Sequence, residues 1–419
     1  MEIKELVTTK AKEAKNAARV MAYIDSDVKN KALSAMAEGL IKNKENIKKA
    51  NSLDMENGKE KGLSNSLLDR LLLNDARIDS MAQGLMDVSK LEDPIGETIR
   101  GWKNEDKLDI AQMRVPLGVI GIIYEARPNV TVDAAALCIK SGNAVILKGG
   151  SEALNSNKAI VEVIYEAGIK AGLPDGFIEF LDIKDREAVN VLMKLNTYVD
   201  VIIPRGGAGL IKNVVENSTV PVIETGVGNC HVFVDESAKI KEAINIIVNA
   251  KTQRPGVCNA METLLVHEKI AKEFLPLLHE ELKKFKVEIR GCKVTNSILK
   301  DIKEAEESDW EAEFLDLILA VKVVKSIDEA IDHIYEYSTK HSEAIITENY
   351  SNAQKFLKEV DAAAVYVNAS TRFTDGGKFG FGGEIGISTQ KLHARGPMGL
   401  RELTSTKYII YGNGQIRNK

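Results

Sequence analysis

Short apolar runs alternate with helical patterns from Val115 onward, and this alternation constrains the fold of the 419-residue chain more than any other feature. An unbroken apolar run is typical of a strand that is buried on both faces. The predicted strands of the first such region are Leu117–Tyr124, Ala144–Lys148, Phe177–Leu181, Val199–Ile203 and Pro221–Ile223. Strict alternation of strands and helices predicts parallel pairing with right-handed crossovers. We therefore expect an α/β protein with a doubly wound parallel sheet.

A second α/β unit is predicted to begin near Gly228. Its apolar runs are His231–Val234, Thr263–His267, Ile318–Val324, Ala344–Thr347 and Ala363–Val367. Helical patterns with one apolar face lie between these runs, such as Lys239–Lys251. The first ninety residues also predict helices, and the polar, alternating stretch Glu92–Met113 predicts a small β-ribbon.

Composition excludes several classes of protein. Hydrophobic residues make up 44% and charged residues 28% of the chain, which excludes a disordered or collagen-like protein. The net charge of −5 provides no basic excess for binding nucleic acid or an acidic membrane. The sequence shows no apolar run of the roughly 18 residues that a membrane span needs and no signal-peptide pattern, so we expect a cytoplasmic location. Four scattered cysteines are too sparse for a disulfide framework or zinc cluster, and we expect no metal site.

Two glycine-containing loops follow predicted strands and precede predicted helices. They are Lys148–Glu152 (KGGSE) and Pro204–Gly209 (PRGGAG). Glycine lets the backbone approach a phosphate, and a helix N-terminus presents free N–H groups. Each loop alone is explained slightly better as a plain turn between strand and helix. Two such loops at the carboxyl ends of strands in one sheet favour a nucleotide-binding edge.

The segment Lys251–Thr263 (KTQRPGVCNAMET) contains the cysteine of greatest interest. A Pro-Gly pair stops the preceding helix and places Cys258 on a tight loop before a strand. The nearby Arg254 favours the thiolate form of this cysteine, which is the nucleophilic form. The alternative is a small buried hydrophobic residue, which suits Cys138 within its apolar helical face. The polar context of Cys258 makes the two interpretations about equal.

A glycine-rich segment, Val367–Gly399, follows the last predicted strand. Six glycines within eleven residues indicate either backbone that approaches a ligand or a mobile loop. The segment also carries cations suited to phosphate or carboxylate groups, namely Arg372, Lys378, Lys391, His393 and Arg395. A solvated loop is the alternative.

Two further polar residues follow buried runs. Glu224, in Ile223–Asn229 (IETGVGN), is equally compatible with a general base and with a cap for local N–H groups. Asn129, next to a proline, is suited either to donating a hydrogen bond to a developing oxyanion or to capping the next helix.

These segments resemble the aldehyde dehydrogenase superfamily in content and order. The matching stretches are Pro116–Asn129, Ser141–Ala153, Ile223–Asn229 and the cysteine loop. Within the superfamily, the cysteine loop and the glycine-rich segment are similar to those of the γ-glutamyl phosphate reductases. The resemblance implies a chain that reduces L-glutamyl 5-phosphate to L-glutamate 5-semialdehyde and phosphate with NADPH, through a cysteine thioacyl intermediate, in the second step of proline biosynthesis.

The resemblance also implies an organisation into three parts. A nucleotide-binding domain would span residues 1–98 and 113–227, a catalytic domain 228–400, and an oligomerisation ribbon with a C-terminal strand 99–112 and 401–419. A homodimer or homotetramer is expected, with a separate glutamate 5-kinase as functional partner.

The resemblance matches Cys258, Asn129 and Lys148 by position, and Glu313 loosely; the other site residues are expected from the loops and cations described above. The expected catalytic residues are Cys258 as nucleophile and Asn129 as oxyanion donor. The expected cofactor-binding residues are Lys148, Ser151, Gly206, Gly207, Glu224 and Glu313, and the expected substrate-binding residues are Arg254, Arg372, Lys378, His393 and Arg395. The loop KGGSE is one residue longer than is usual in the superfamily, so Lys148 and Ser151 are predicted to accept a 2′-phosphate and favour NADPH. The alternatives are a hydrolytic NAD(P)-dependent aldehyde dehydrogenase and a nucleotide-binding scaffold without catalysis.

Overall fold

The computed structural model describes residues 2–417 of the chain. The chain divides into two compact units. Unit 1 comprises Met1–Thr225, Gly380–Gly386 and Met398–Lys419, and unit 2 comprises Gly226–Phe379 and Ile387–Pro397. These bounds differ from the predicted ranges because part of the glycine-rich segment returns to unit 1. The functions assigned to the predicted domains remain predictions.

Unit 1 begins with a layer of helices, as the periodicity of the first ninety residues predicts. They are α1 (Ile3–Met21), α2 (Ser26–Lys42), α3 (Lys44–Glu60), α4 (Asn65–Leu71) and α5 (Asp75–Ser89). Each long helix buries one face; α1, for example, buries a stripe of small residues that includes Ala11, Ala14 and Ala18. Small side chains on this stripe let α1 pack against the sheet core of the unit.

The remaining elements of unit 1 alternate between strands and helices after an initial pair of strands. They are β1 (Thr98–Lys103), β2 (Asp109–Pro116), β3 (Val119–Tyr124), α6 (Pro128–Lys140), β4 (Ala144–Gly149), α7 (Leu154–Ala171), β5 (Ile178–Phe180), α8 (Glu187–Leu192), β6 (Val201–Arg205) and α9 (Ala208–Asn217). Strands β5, β4, β3 and β6 form a parallel sheet in that order. All six residues of β3 and of β4 are buried, as their apolar runs predict.

The predicted strand Pro221–Ile223 is wrong. The structure has only one β-bridge there, between Val222 and Ile202. The carbonyl of Pro221 accepts from the Ile202 N–H at 2.8 Å. Because proline has no N–H of its own, the ladder does not extend beyond this bridge.

Unit 2 contains a larger parallel sheet. Its elements are β7 (Cys230–Val234), α10 (Ile240–Thr252), β8 (Met261–His267), α11 (Glu268–Lys283), β9 (Glu288–Gly291), α12 (Lys293–Ile298), β10 (Lys303–Glu304), β11 (Ile318–Val324), α13 (Ile327–Tyr337), β12 (Ser342–Ile346), α14 (Tyr350–Glu359), β13 (Ala364–Val367), β14 (Ile387–Ser388) and β15 (Gly396–Pro397). Seven strands pair in the order β10-β9-β11-β8-β7-β12-β13, all in parallel. The α/β class and the parallel sheets are therefore confirmed. The short, charged β9 and β10 are elements that apolar runs do not reveal.

The predicted β-ribbon is also present. The last strand, β16 (Thr404–Tyr411), pairs antiparallel with β2, which in turn pairs antiparallel with β1. The ribbon belongs to unit 1, and its role in oligomerisation remains a prediction. Within residues 2–417 no helix has the length and apolar character needed to cross a membrane.

Candidate active site

The loop that carries Cys258 joins the end of α10 to the start of β8, where the Pro-Gly pair predicts it. Cys258 is half-buried. The two ends of the loop are joined by an ion pair between Lys251 and Glu262, whose side chains are both fully buried and 2.5 Å apart. Burial raises the pKa of the Glu262 carboxyl, whereas the Lys251 ammonium opposes this effect. This ion pair therefore holds the two ends of the cysteine loop together.

Gly228, two residues before β7, packs against the backbone of the cysteine loop. A Cβ at this position would overlap the carbonyl group of Cys258, so a residue without a side chain is required. The Gly228 N–H donates to the Glu313 carboxylate at 2.7 Å. Burial raises the pKa of Glu313, and the hydrogen bond from Gly228 partly offsets this rise. The structure thus places Glu313, a predicted cofactor-binding residue, next to the segment that contacts the cysteine loop.

The turn that carries Arg372 is joined to the cysteine loop by two hydrogen bonds. It is a single 3₁₀ turn, Thr371–Phe373, after β13. The Thr371 hydroxyl donates to the Asn259 carbonyl at 2.8 Å, and the Asn259 amide donates to the Thr374 carbonyl at 2.8 Å. Asn259 directly follows Cys258, so this double contact fastens the turn to the nucleophile loop.

A second arginine lies near the same point. Burial lowers the pKa of Arg372, and the charge of Arg254 lowers it further, whereas Cys258 and Asp375 have the opposite effect. The Arg372 guanidinium also donates to the Gln253 side chain at 3.1 Å. Arg372 therefore lies near both the predicted nucleophile and Arg254, the other predicted substrate-binding cation of this region. Such a pair of guanidiniums is suited to binding a phosphate or carboxylate.

The other predicted substrate-binding residues lie elsewhere on the glycine-rich segment. Arg395 forms an ion pair with Asp361 at 2.8 Å, and Lys391 contacts the same carboxylate at 2.8 Å. These cations, Lys391 first, lower the pKa of Asp361 to about 2. Lys378 and His393 are exposed. The structure therefore gives Arg395 an acidic partner within unit 2, and the substrate roles of all three residues remain predictions.

In unit 1, the carboxyl ends of three parallel strands bring together predicted cofactor-binding residues. In the sheet register, Tyr124 at the end of β3 lies opposite both Gly149 and Arg205. Lys148 is buried and donates to the Gly149 carbonyl at 2.9 Å. Burial lowers the pKa of its ammonium, and Glu152 opposes this effect. The loops containing Ser151, Gly206 and Gly207 leave this same edge of the sheet.

Two carboxylates that the sequence did not reveal contact the helix N-termini at this edge. Asp54 is buried and accepts from the N–H of Ser156 at 2.7 Å, in the first turn of α7. Glu125 is exposed and accepts from the Gly207 N–H at 2.9 Å, at the start of α9. Because Asp54 is buried, it acts as a fixed cap on α7.

Asn129 lies in the first turn of α6, which begins at Pro128. A helix-capping role for Asn129 is therefore wrong, because Arg127 occupies the N-cap position and proline takes the first helical position. The Asn129 amide donates to Asp133 at 3.1 Å. Burial raises the pKa of Asp133 to about 6, against the opposing effects of Asn129 and Arg205. This contact fixes the orientation of the amide.

Glu224 is the second-last residue of the first segment of unit 1 and is half-buried. The next residue, Thr225, is buried and donates its hydroxyl to the Pro204 carbonyl at 2.8 Å. This contact ties the segment to the end of β6. Within residues 2–417, no group of three or more His, Cys, Asp or Glu side chains is arranged to hold a metal ion.

Comparison with known proteins relates this geometry to a family. The aldehyde dehydrogenase family model matches residues 3–296 and 288–409. Curated proteins named γ-glutamyl phosphate reductase from Clostridium acetobutylicum and Clostridium novyi are each 67% identical over 417 residues, covering 100% of both chains. The crystal structure of γ-glutamyl phosphate reductase from Thermotoga maritima is 57% identical, covers 98% of this chain and 100% of its own, and superposes with a TM-score of 0.97. Since both the sequence and the fold match over nearly the whole length, the chain belongs to the aldehyde dehydrogenase family.

Proposed function

We propose that the chain catalyses the NADPH-dependent reduction of L-glutamyl 5-phosphate to L-glutamate 5-semialdehyde and phosphate. This is the reaction for which its curated relatives are named, and it would be the second step of proline biosynthesis. The observation that carries the proposal is the position of Cys258. Its loop is hydrogen-bonded to the turn that carries Arg372, and Arg254 lies near Arg372. A nucleophile next to a dianion-binding pair suits an acyl phosphate better than an uncharged aldehyde.

The first half of the reaction uses the Cys258 side chain directly. Its thiolate attacks the acyl carbon, the carbon–oxygen bond to phosphate breaks, and a thioester remains on the enzyme. The two guanidiniums stabilise the phosphate as it leaves with the bond's electron pair. The Cys258 peptide N–H and the Asn129 amide are the proposed donors to the oxyanion; losing one such donor typically costs about 10²–10³ in rate.

The second half returns the nucleophile to its starting state. A nicotinamide dinucleotide, when bound, would supply the hydride for this half; the thioester on Cys258 would then become a hemithioacetal anion held by the same two donors. Release of the semialdehyde from this adduct regenerates the Cys258 thiolate. Water must be excluded from the thioester, because hydrolysis would yield glutamate instead of the semialdehyde. Glu224 is therefore proposed to bind the cofactor and not to activate water.

The residues of unit 1 fit a dinucleotide. The buried Lys148 supplies a cation at the edge of the parallel sheet, and Ser151 adds a hydroxyl two residues after the same strand. Both are proposed to contact a 2′-phosphate and thereby to favour NADPH over NADH. Gly206 and Gly207 are proposed to allow close approach of the pyrophosphate. Glu313, which belongs to unit 2, is proposed to hold the nicotinamide ribose.

The test is the dependence of the reverse reaction on phosphate. With semialdehyde and NADP⁺, the reductase should form NADPH only when phosphate or arsenate is added. A hydrolytic aldehyde dehydrogenase would form NADPH without either anion, and that result would exclude the proposal. Cys258→Ser should retain no more than a few per cent of the phosphate-dependent rate, and greater activity would exclude Cys258 as the nucleophile.

The chemistry of the substrate also suggests partners and location. Acyl phosphates hydrolyse readily in water, so a separate glutamate 5-kinase is the proposed supplier of the substrate. We also propose a cytoplasmic enzyme that forms a homodimer or homotetramer through its β-ribbon. Light scattering of the purified protein at several concentrations would measure the mass of the assembly.

A further inference from the structure

Cys230 lies next to the nucleophile loop, although the sequence indicates no role for it. It is the first residue of β7, is fully buried, and lies opposite Met261 in the neighbouring strand β8. The register of the two strands shifts between Cys230 and His231, at the end of the sheet where the cysteine loop enters β8. At this end of the sheet the buried Cys230 side chain contacts the cysteine loop.

The contact between the two cysteines is specific. The Cys230 thiol donates to the Cys258 carbonyl oxygen, with Sγ and O 3.1 Å apart. Gly228 approaches the same carbonyl from two residues earlier in the chain. Burial, as the largest cause, raises the pKa of Cys230 well above its usual range. The thiol therefore keeps its proton at neutral pH and remains a hydrogen-bond donor.

Behind Cys230, a buried chain of polar groups leads to the turn that carries Arg372. The Cys230 Sγ lies 3.7 Å from His341 Nδ1, and this nitrogen lies 2.8 Å from the Ser342 hydroxyl. The Ser342 hydroxyl in turn lies 2.6 Å from the Thr374 hydroxyl. Burial lowers the pKa of His341 to about 4, so the ring is neutral at physiological pH. The chain of contacts thus consists of neutral groups.

These contacts close a ring around the nucleophile loop. The Thr374 carbonyl accepts from the Asn259 amide, and Asn259 is bonded covalently to Cys258. The peptide group that links Cys258 to Asn259 is therefore held at its carbonyl by Cys230 and through the next side chain by Thr374. These two hydrogen bonds restrict the rotation of the peptide group.

We propose that Cys230 is a positioning residue, whose thiol holds the Cys258 carbonyl and so keeps the nucleophile loop in its reactive conformation. The inference rests on the proposed role of Cys258 as nucleophile. One neutral hydrogen bond typically contributes an amount of free energy that corresponds to about a threefold to tenfold change in rate. Removing this donor should therefore lower kcat by that factor. Substrate binding depends on Arg254 and Arg372, so KM should change little.

The experiment compares four variants of the full-length enzyme in the phosphate-dependent assay. Cys230→Ala removes the donor, whereas Cys230→Ser keeps a hydroxyl that can donate to the same carbonyl. Cys138→Ala is the matched control, because it removes a fully buried thiol from the apolar face of α6. Cys230→Val keeps the volume but has no donor, and it replaces Cys230→Ala in the comparison if the latter does not fold.

The expected pattern separates positioning from packing. Cys230→Ala should lower kcat about threefold to tenfold with KM unchanged, and Cys230→Ser should recover most of the loss. Cys138→Ala should lower the melting temperature at least as much but leave kcat near the wild-type value. The rate of Cys258 alkylation by iodoacetamide, followed against pH, should also change in Cys230→Ala and be restored in Cys230→Ser.

Three results would overturn the inference. They are an unchanged kcat in Cys230→Ala, no recovery in Cys230→Ser, and equal losses of kcat in the Cys230 and Cys138 variants. The proposed function has its own, separate test. If Cys258→Ser is inactive while Cys230→Ala is fully active, the positioning role alone fails. If Cys258→Ser is active, the proposed nucleophile fails, whatever the Cys230 variants do.

Discussion

Replacing Lys251 by methionine should destabilise the protein strongly. Within residues 2–417, Lys251 is the only cation that forms an ion pair with the Glu262 carboxylate. Both side chains are 0% exposed, so water cannot replace the lost ammonium. Removing one partner of a buried ion pair costs about 3–5 kcal/mol. For a unit of this size, that loss corresponds to a fall in melting temperature of roughly 6–20 °C.

A double variant distinguishes the cost of leaving the Glu262 charge unpaired from the cost of losing the packing of the lysine side chain. Glu262→Gln removes the charge but keeps an oxygen that can accept from the Leu315 N–H, now 3.2 Å from Glu262. Lys251→Met combined with Glu262→Gln should therefore recover to within about 1–2 kcal/mol of the wild type. Lys283→Met is the control, because Lys283 and its partner Glu280 are both exposed, and a change there should cost no more than about 0.5 kcal/mol.

The pH dependence of the single variant provides an independent check. Without the ammonium, burial is left to raise the pKa of Glu262 above its ordinary value of 4.5. The folded state then binds a proton that the unfolded chain releases, so the free energy of unfolding falls as the pH rises from about 4.5. Lys251→Met should therefore be closest to the wild type near pH 5 and furthest from it near pH 8.

The assay is urea-induced unfolding followed by circular dichroism at both pH values. A loss of less than about 1 kcal/mol in Lys251→Met would refute the reasoning from burial. So would a double variant that is no more stable than the single one.

Four other outcomes are expected. Gly228→Ala should lower kcat at least about tenfold, because its Cβ would displace the Cys258 backbone, whereas Gly101→Ala in the ribbon should have little effect; kinetics and melting curves would show both. Arg372→Ala should raise KM for the semialdehyde more than KM for the cofactor, since its guanidinium lies by the cysteine loop; equal rises would argue against substrate contact. Lys148→Met should raise KM for NADPH by about tenfold and KM for NADH much less, and a parallel rise would exclude a 2′-phosphate contact. Burial raises the pKa of Asp133 from 3.8 to about 6, so folding binds a proton and stability should fall as the pH rises from 4 to 6; urea titrations of Asp133→Asn should lack this slope.

The sequence predicts the strands of both parallel sheets well because burial on both faces leaves a continuous apolar run. It also places Cys258 correctly, since a Pro-Gly pair can only end a helix and form a turn at that point. Strand β9 escapes prediction because its charged residues alternate with apolar ones over only four positions. At Val222 the error is a strand predicted where only a single bridge forms. An apolar run next to a proline has the pattern of a strand, although the proline prevents a longer ladder.

The contacts that shape the active site are much harder to predict. Asp54 caps α7 from about 100 residues earlier in the chain, and Cys230 at the start of β7 contacts Cys258 on the loop before β8. Neither contact produces a periodic pattern, because each depends on how distant segments fold together. The buried ion pair does leave a signal: Lys251 and Glu262 are opposite charges that interrupt an apolar helix face and an apolar strand.

The way the last strand completes the ribbon has a consequence for biosynthesis. The side chains of Gln112 and Thr406 are hydrogen-bonded, although 294 residues separate them in the chain. Strand β2 therefore leaves the ribosome long before its partner β16 has been translated. Almost all of unit 2 is made in between as one continuous stretch. We expect unit 2 to fold during synthesis, while β2 keeps one edge unpaired until translation is nearly complete and is exposed to chaperones and aggregation during that interval.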